Sequence, residues 1–195
     1  MNRNKDEQFE RHSPLLKQTM KMSEFVLKVM SVEASNDFYM TANNATNSHQ
    51  MLQELFLDIG DFADGYSNLA LKDERSFLWF GPKGTFTPLH HDLTNNMLVQ
   101  IYGRKKVTLI PALQVPHLYN DHWVFSELSN ANEIDFKKYP LAKSITPVEC
   151  ILNVGEALFI PIGWWHSVES LDVSMSISFT NFNAYSRLNL AISIP

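Results

Sequence analysis

From Val173 to Phe179 the chain alternates without a break. Val173, Met175, Ile177 and Phe179 are apolar, and Ser174, Ser176 and Ser178 between them are small and polar. A period of two places successive side chains on opposite faces of a strand. One packed face and one small polar face predict a strand of an antiparallel sheet. This run closes a series that starts near residue 75: SFLWF, TFTPLH, NMLVQIYG, KKVTLI, ECILNV, EALFIPI and VSMSISFTNF, many bounded by Gly or Pro. So many short strands with turn signals between them predict a mainly β domain, a sandwich or a small barrel. Residues 111–147, with Pro111, Pro116, Pro140 and Pro147, interrupt the series. They predict an irregular insert, long enough to wall or cover a site.

The part before residue 75 reads differently. Residues 1–14 form a polar lead-in, and Ser23 is placed to cap a short helix through Met30 with Phe25, Val26 and Val29 on one side. Ser48 precedes HQMLQELFLDIG, where Leu52, Leu55, Phe56 and Ile59 recur at helical spacing before Gly60. The 195 residues, 45% of them hydrophobic, suit one domain with a sizeable core over 1–195. A net charge of −5 argues against a nucleic-acid surface. The basic run Arg104-Lys105-Lys106 is too short to make a patch. A single cysteine, Cys150, excludes an internal disulfide and a thiolate metal cluster. The polar N-terminus and the lack of any apolar run near the roughly eighteen residues of a membrane span predict a cytoplasmic protein.

Chemistry concentrates in two places, TPLHHD and GWWHS. In an extended segment residues i and i+2 share a face, so His90 and Asp92 point together while His91 points away. His166, placed after the run FIPIGWW where a turn would open, is the best third member. Two histidines and one carboxylate leave positions open on an octahedral ion, as in non-haem iron oxygenases. A hydrogen-bonded pair at a turn fits His90 and Asp92 as well, and a packed histidine fits His166.

The stretch TPLHHDLTNNMLVQIYGRKKVTLIP, followed by GEALFIPIGWWHSVES, resembles the JmjC-type, cupin-like 2-oxoglutarate oxygenases. The similarity is in particular to the asparaginyl hydroxylase that modifies hypoxia-inducible factor and to related small JmjC hydroxylases. It spans about residues 20–190 and is sharpest over 76–111 and 148–183. The resemblance implies a double-stranded β-helix, a jelly-roll barrel, with short N-terminal helices packed on the outside. It makes His90, Asp92 and His166 the ligands of Fe(II). It gives the distal carboxylate of 2-oxoglutarate to Lys105, with Thr87 and Tyr39 beside it. It sets Asn96 and Asn181 near metal and cosubstrate, and Trp79 along the cosubstrate wall. The implied reaction consumes dioxygen and 2-oxoglutarate, releases succinate and carbon dioxide, and hydroxylates a C–H bond of a peptide side chain or a small molecule. Asn183 stands where the asparaginyl hydroxylase carries a tryptophan two positions after its late cavity asparagine, and Thr41 where it carries a glutamine of its peptide-binding stretch.

Two other classes compete. Metal-dependent cupin isomerases and epimerases use three histidines and a glutamate, whereas His90-His91-Asp92 leaves no second imidazole on the His90 face, and Glu156 falls in a turn-like GEA. A cupin-like binding protein without turnover would keep the same ligands. Oligomeric state has no signature in the sequence.

Overall fold

The structure, a computed structural model, describes residues 9, 12–41, 76–180 and 182. The helix expected after Ser48 lies outside these residues. The lead-in carries a one-turn helix, α1 (Ser13–Leu16), and is followed by α2 (Met22–Met30). Ser23 is not the cap of α2: Lys21 takes that position and makes no side-chain cap, so Ser23 sits inside the first turn. Phe25 and Val29 are buried, while Val26 faces solvent. A spacing of four puts the first two on one stripe, and the residue next to Phe25 turns away from it.

The expected class, a mainly β jelly roll with short helices outside, is the observed one. Strands β1 (Ser76–Gly81), β2 (Phe86–His91), β3 (Asn96–Tyr102) and β4 (Lys105–Ile110) are followed by β5 (Asn120–His122) and β6 (Phe125–Ser126). β7 (Val148–Leu152), β8 (Ala157–Ile160), β9 (Trp165–Ser170) and β10 (Ser174–Phe179) complete the set. A four-stranded sheet has the order β1-β10-β3-β8 and a six-stranded sheet the order β5-β6-β2-β9-β4-β7. Every pairing within the two sheets is antiparallel.

Residues 111–147 are less irregular than expected. They hold β5, β6 and two 3₁₀ turns at Ala112–His117 and Pro140–Ser144. Most of the insert packs on the outer face of the six-stranded sheet, where Leu118, Leu128, Ala131 and Ala142 bury Leu89, Ile110 and Trp165. It therefore backs the site rather than covering it, and β6 extends the sheet beside β2.

Each sheet has a distinct inner face. On β10 the apolar side, Met175, Ile177 and Phe179, packs outward with Leu78, Phe80, Met40 and the α2 residues Phe25 and Val29. Ser174, Ser176 and Ser178, the polar side, are also buried and turn into the space between the sheets. Gln100, paired with Ser176, donates to the Ser174 hydroxyl and accepts from that of Ser176. The opposite half of the interior is apolar, formed by Leu98, Val107, Leu109, Leu152 and Ile160. The space between the sheets thus has a polar side along β1, β2, β9 and β10 and an oily side along β7 and β8.

The segment after α2 closes the polar side. Met40 bridges to Phe80, Ser35 N–H donates to Lys83, and the Asn36 side chain accepts from Phe86 N–H. This lacing drives Tyr39 in over Gly81, where an added Cβ would lie 2.6 Å from the tyrosine ring. Gly81→Ala is expected to push that ring aside and cost about 1–3 kcal/mol, the usual penalty of overpacking. Thermal denaturation checks it; an unchanged midpoint would mean that the ring is not held there.

Candidate metal centre

β2 and β9 bring the first two members together. His90 and His166 are direct cross-strand partners, with ring centroids 4.2 Å apart. His166 is the second residue of β9, not a turn residue after the preceding strand. The series of apolar runs missed this strand because WHSVES is too polar to stand out. β2 is irregular just before His90. Pro88 has no N–H to give the ladder, and the register slips by one residue between Thr87 and His90. Leu89 N–H turns instead to Ser129 carbonyl at 2.6 Å. The slip has a chemical consequence: Thr87 pairs with Val168 and so shares the His90–His166 face, although three positions from His90 a regular strand would point it away.

Asp92 lies just past the end of β2. Its Oδ1 is 4.0 Å from His90 Nε2 and its Oδ2 is 3.8 Å from His166 Nε2. The three ligand atoms all fall within 4.8 Å of one another. An ion bonded at roughly 2.1 Å holds its ligand atoms about 3 to 4 Å apart. The carboxylate–imidazole separations of 4.0 and 3.8 Å fall in that range, so the three residues could hold an ion. Each imidazole Nδ1 faces a carbonyl, Pro88 at 2.8 Å and Trp164 at 3.2 Å, so Nδ1 is the donor and the Nε2 lone pair is free. Burial, with His90 beside it, pushes the His166 imidazolium well below its ordinary pKa, which keeps that ring neutral. His91 turns to the outer face, edge-on to Trp165 with centroids 4.8 Å apart.

Asn96, on the inner face of β3, donates from Nδ2 to Asp92 Oδ2 at 2.9 Å. Its Oδ1 is buried and has no partner among the described residues. The loop from Asp92 to Asn95 is tied to the β8–β9 turn, where Gly163 N–H donates to Asp92 carbonyl and Ile162 N–H to the Asn95 side chain. Gly163 has φ +78°, a conformation that suits glycine. Asn96→Ala frees the Asp92 carboxylate and is expected to weaken Mn(II) binding about 10- to 100-fold, as loss of an outer-shell partner does. Calorimetric titration reads it; wild-type affinity would remove Asn96 from the site.

Deeper in the same space lies Lys105, 2% exposed. In the register Lys105, Val107 and Leu109 share the face of Ser170, Val168 and His166. Its Nζ donates to Tyr39 hydroxyl at 3.0 Å, and among the described residues no carboxylate lies within ion-pair distance. Burial without a counter-charge pulls its pKa down to about 7. Arg104 and Lys106, its neighbours, point outward to Asp172 and Glu169, at 2.8 and 3.0 Å, so the basic run makes no patch. Trp79 faces inward, donates to Ser178 hydroxyl at 2.8 Å and lies 5.9 Å from the Tyr39 ring. The structure therefore brings Tyr39, Trp79, Thr87, Asn96 and Lys105 to the space that holds His90, Asp92 and His166. Asn181 lies outside the described residues. The inward serines were missed because alternation shows two faces without saying which one the second sheet covers.

The chain belongs to the cupin-like domain family, whose profile matches residues 1–186. It is 43% identical over 108 residues to lysine-specific demethylase JMJ30 of Arabidopsis thaliana, a match covering 52% of this chain and 24% of that protein. It is 31% identical over 194 residues to JmjC domain-containing protein F of Dictyostelium discoideum, covering 82% of this chain and 41% of that one. The chain spans less than half the length of these relatives. Among solved structures it is similar to the Escherichia coli ribosomal oxygenase YcfD in complex with cobalt and 2-oxoglutarate. That match has a TM-score of 0.46 and 16% identity, and covers 78% of this chain and 33% of that one. Among the described residues no helix is long and apolar enough to cross a membrane.

Proposed function

We propose that the chain is the catalytic domain of an Fe(II)- and 2-oxoglutarate-dependent oxygenase that hydroxylates a C–H bond of a peptide side chain or a small molecule. The carrying observation is a buried lysine with no counter-ion among the described residues, on the same inner face as a two-histidine, one-carboxylate cluster. The cluster suits an iron ion with positions left open, and Lys105 suits the carboxylate of an acid that reaches that ion. JmjC-named relatives, one of them matching 82% of this chain, support the reading.

His90, Asp92 and His166 would hold Fe(II), and Lys105, Tyr39 and Thr87 the distal carboxylate of 2-oxoglutarate. Once bound, the pair supplies the oxidation: 2-oxoglutarate loses carbon dioxide, one atom of dioxygen enters succinate and the other converts C–H to C–OH. The chain contributes orientation and exclusion of water. Asn96 fixes the carboxylate ligand, the two backbone carbonyls fix the imidazole tautomers, and Tyr39 with Trp79 closes the polar side. No side chain need act as acid or base in this scheme.

An isomerase of the three-histidine type is disfavoured, because His91 faces Trp165 and Glu156 accepts from Asn153 N–H in the β7–β8 turn. The iron chemistry suits the cytoplasmic setting expected from the sequence. The test is an anaerobic titration of metal-free protein with Fe(II) and then 2-oxoglutarate, followed by visible absorption. A saturable charge-transfer band is expected. Folded, metal-loaded protein that gives no band would leave a binding protein without turnover or a different cupin chemistry.

A further inference from the structure

The six-stranded sheet carries a continuous row across its inner face at the level of the metal cluster. Reading the register strand by strand, Phe125 on β6 pairs with His90, His90 with His166, His166 with Leu109 and Leu109 with Val148 on β7. Direct cross-strand partners in an antiparallel sheet present their side chains to the same side. The two histidines are thus flanked on both sides by apolar residues. Leu109 is 9% exposed, whereas Val148 faces the interior and is still 55% exposed. Val148, on the edge strand β7, therefore offers an exposed apolar surface level with the cluster. Ile160, at the end of β8, belongs to the same apolar group as Leu109, and Trp164, in the β8–β9 connection, packs against it.

Apart from the two histidines, the described residues of this row, Phe125, Leu109 and Val148, carry no ionisable side chain. Glu149, the acid next to Val148, faces the outer side of the sheet, where it accepts from Thr108 at 3.3 Å and Asn132 at 2.6 Å. Asp92 has one oxygen on Asn96 and both within 4.0 Å of a histidine. Among the described residues, nothing along the row could pair with a cation brought to the cluster.

Resting on the oxygenase reading, we infer that the group oxidised here is an uncharged aliphatic side chain of a peptide, seated on Leu109 and Val148 beneath Trp164. A lysine or arginine side chain would find no acidic partner on this row among the described residues, since Glu149 is held on the outer face. A leucine, isoleucine or valine side chain gains by burial there. The amino acid selected therefore differs from the one in the name of the lysine-specific demethylase relative, although the ligand cluster is of the kind the family resemblance implied.

The experiment uses the whole chain loaded with Mn(II) and 2-oxoglutarate and records paramagnetic broadening of the proton signals of two probes. One is N-acetyl-leucinamide, the other N-acetyl-Nε-trimethyl-lysinamide. Broadening of the leucine methyl signals is expected, with the trimethylammonium signal little affected. Val148→Asp should weaken the leucine effect about tenfold, as loss of one apolar contact surface does, and Val148→Leu should retain it. Equal or stronger broadening of the lysine probe, or no broadening of either, would overturn the proposal. Failure of the wild-type protein to bind 2-oxoglutarate at all would instead overturn the oxygenase reading beneath it.

Discussion

Lys105→Met is expected to make the protein more stable and to bind 2-oxoglutarate roughly a hundredfold more weakly, the scale for deleting one partner of a buried charge pair. Both effects have one cause. Lys105 is buried beside a neutral tyrosine hydroxyl, and its pKa is lowered to about 7 from 10.5 by burial. The unfolded chain keeps its ordinary affinity for that proton, so between pH 7 and about 10.5 it binds more protons than the folded one. Stability therefore rises with pH across that window. The unfavourable contribution is complete below pH 7 and gone above the ordinary lysine pKa. Its slope is at most about 1.4 kcal/mol per pH unit. Methionine has similar length and no charge, so the variant should exceed the wild type by a few kcal/mol, on the order of 3, at neutral pH and converge with it near pH 10.

Urea denaturation of metal-free wild type and variant at several pH values measures the difference. A gap that does not shrink as pH rises would mean that Lys105 is not held unpaired. Calorimetry of 2-oxoglutarate in buffers of different ionisation enthalpy gives an independent readout. An incoming carboxylate should restore the lysine charge, so binding at pH 8 should take up a proton in the wild type and not in the variant.

Asp92→Asn should abolish useful metal binding, lowering Mn(II) affinity by more than the roughly 10- to 100-fold expected when only an outer-shell partner is lost. The substitution keeps the shape and removes the anionic ligand that faces both imidazoles at 4.0 and 3.8 Å. Two neutral imidazoles alone hold a hard divalent ion weakly. The change should be nearly silent in the metal-free fold, because Asp92 is partly exposed. Electron paramagnetic resonance of free Mn(II) during titration measures the loss. Retained affinity would place the ion elsewhere and separate His90 and His166 from the proposed chemistry.

Much of this architecture was legible in the residues. Seven of the short apolar runs correspond to strands, and the alternation from Val173 to Phe179 contains β10. β9 was not legible, since its residues match neither a buried run nor a clean alternation, yet it carries His166 and pairs with both β2 and β4. The helix start at Ser23 was misplaced by two residues, a scale at which local capping signals do not discriminate. The insert looked irregular because its four prolines mask two short strands and a buried contact surface beneath Trp165.

What the sequence determined by itself was everything that depends on one extended segment. It set His90 and Asp92 to the same side with His91 opposite, marked most of the β strands by their period, and excluded an internal disulfide through a single Cys150. What only the tertiary structure decided was the relation between segments. The slip at Pro88 that turns Thr87 toward the histidines, the inward direction of the β10 serines, the burial of Lys105 under Tyr39 and the apolar row from Phe125 to Val148 all follow from cross-strand register. A strand's own pattern defines its two faces, but which face meets the second sheet is set by the packing of partners far away along the chain.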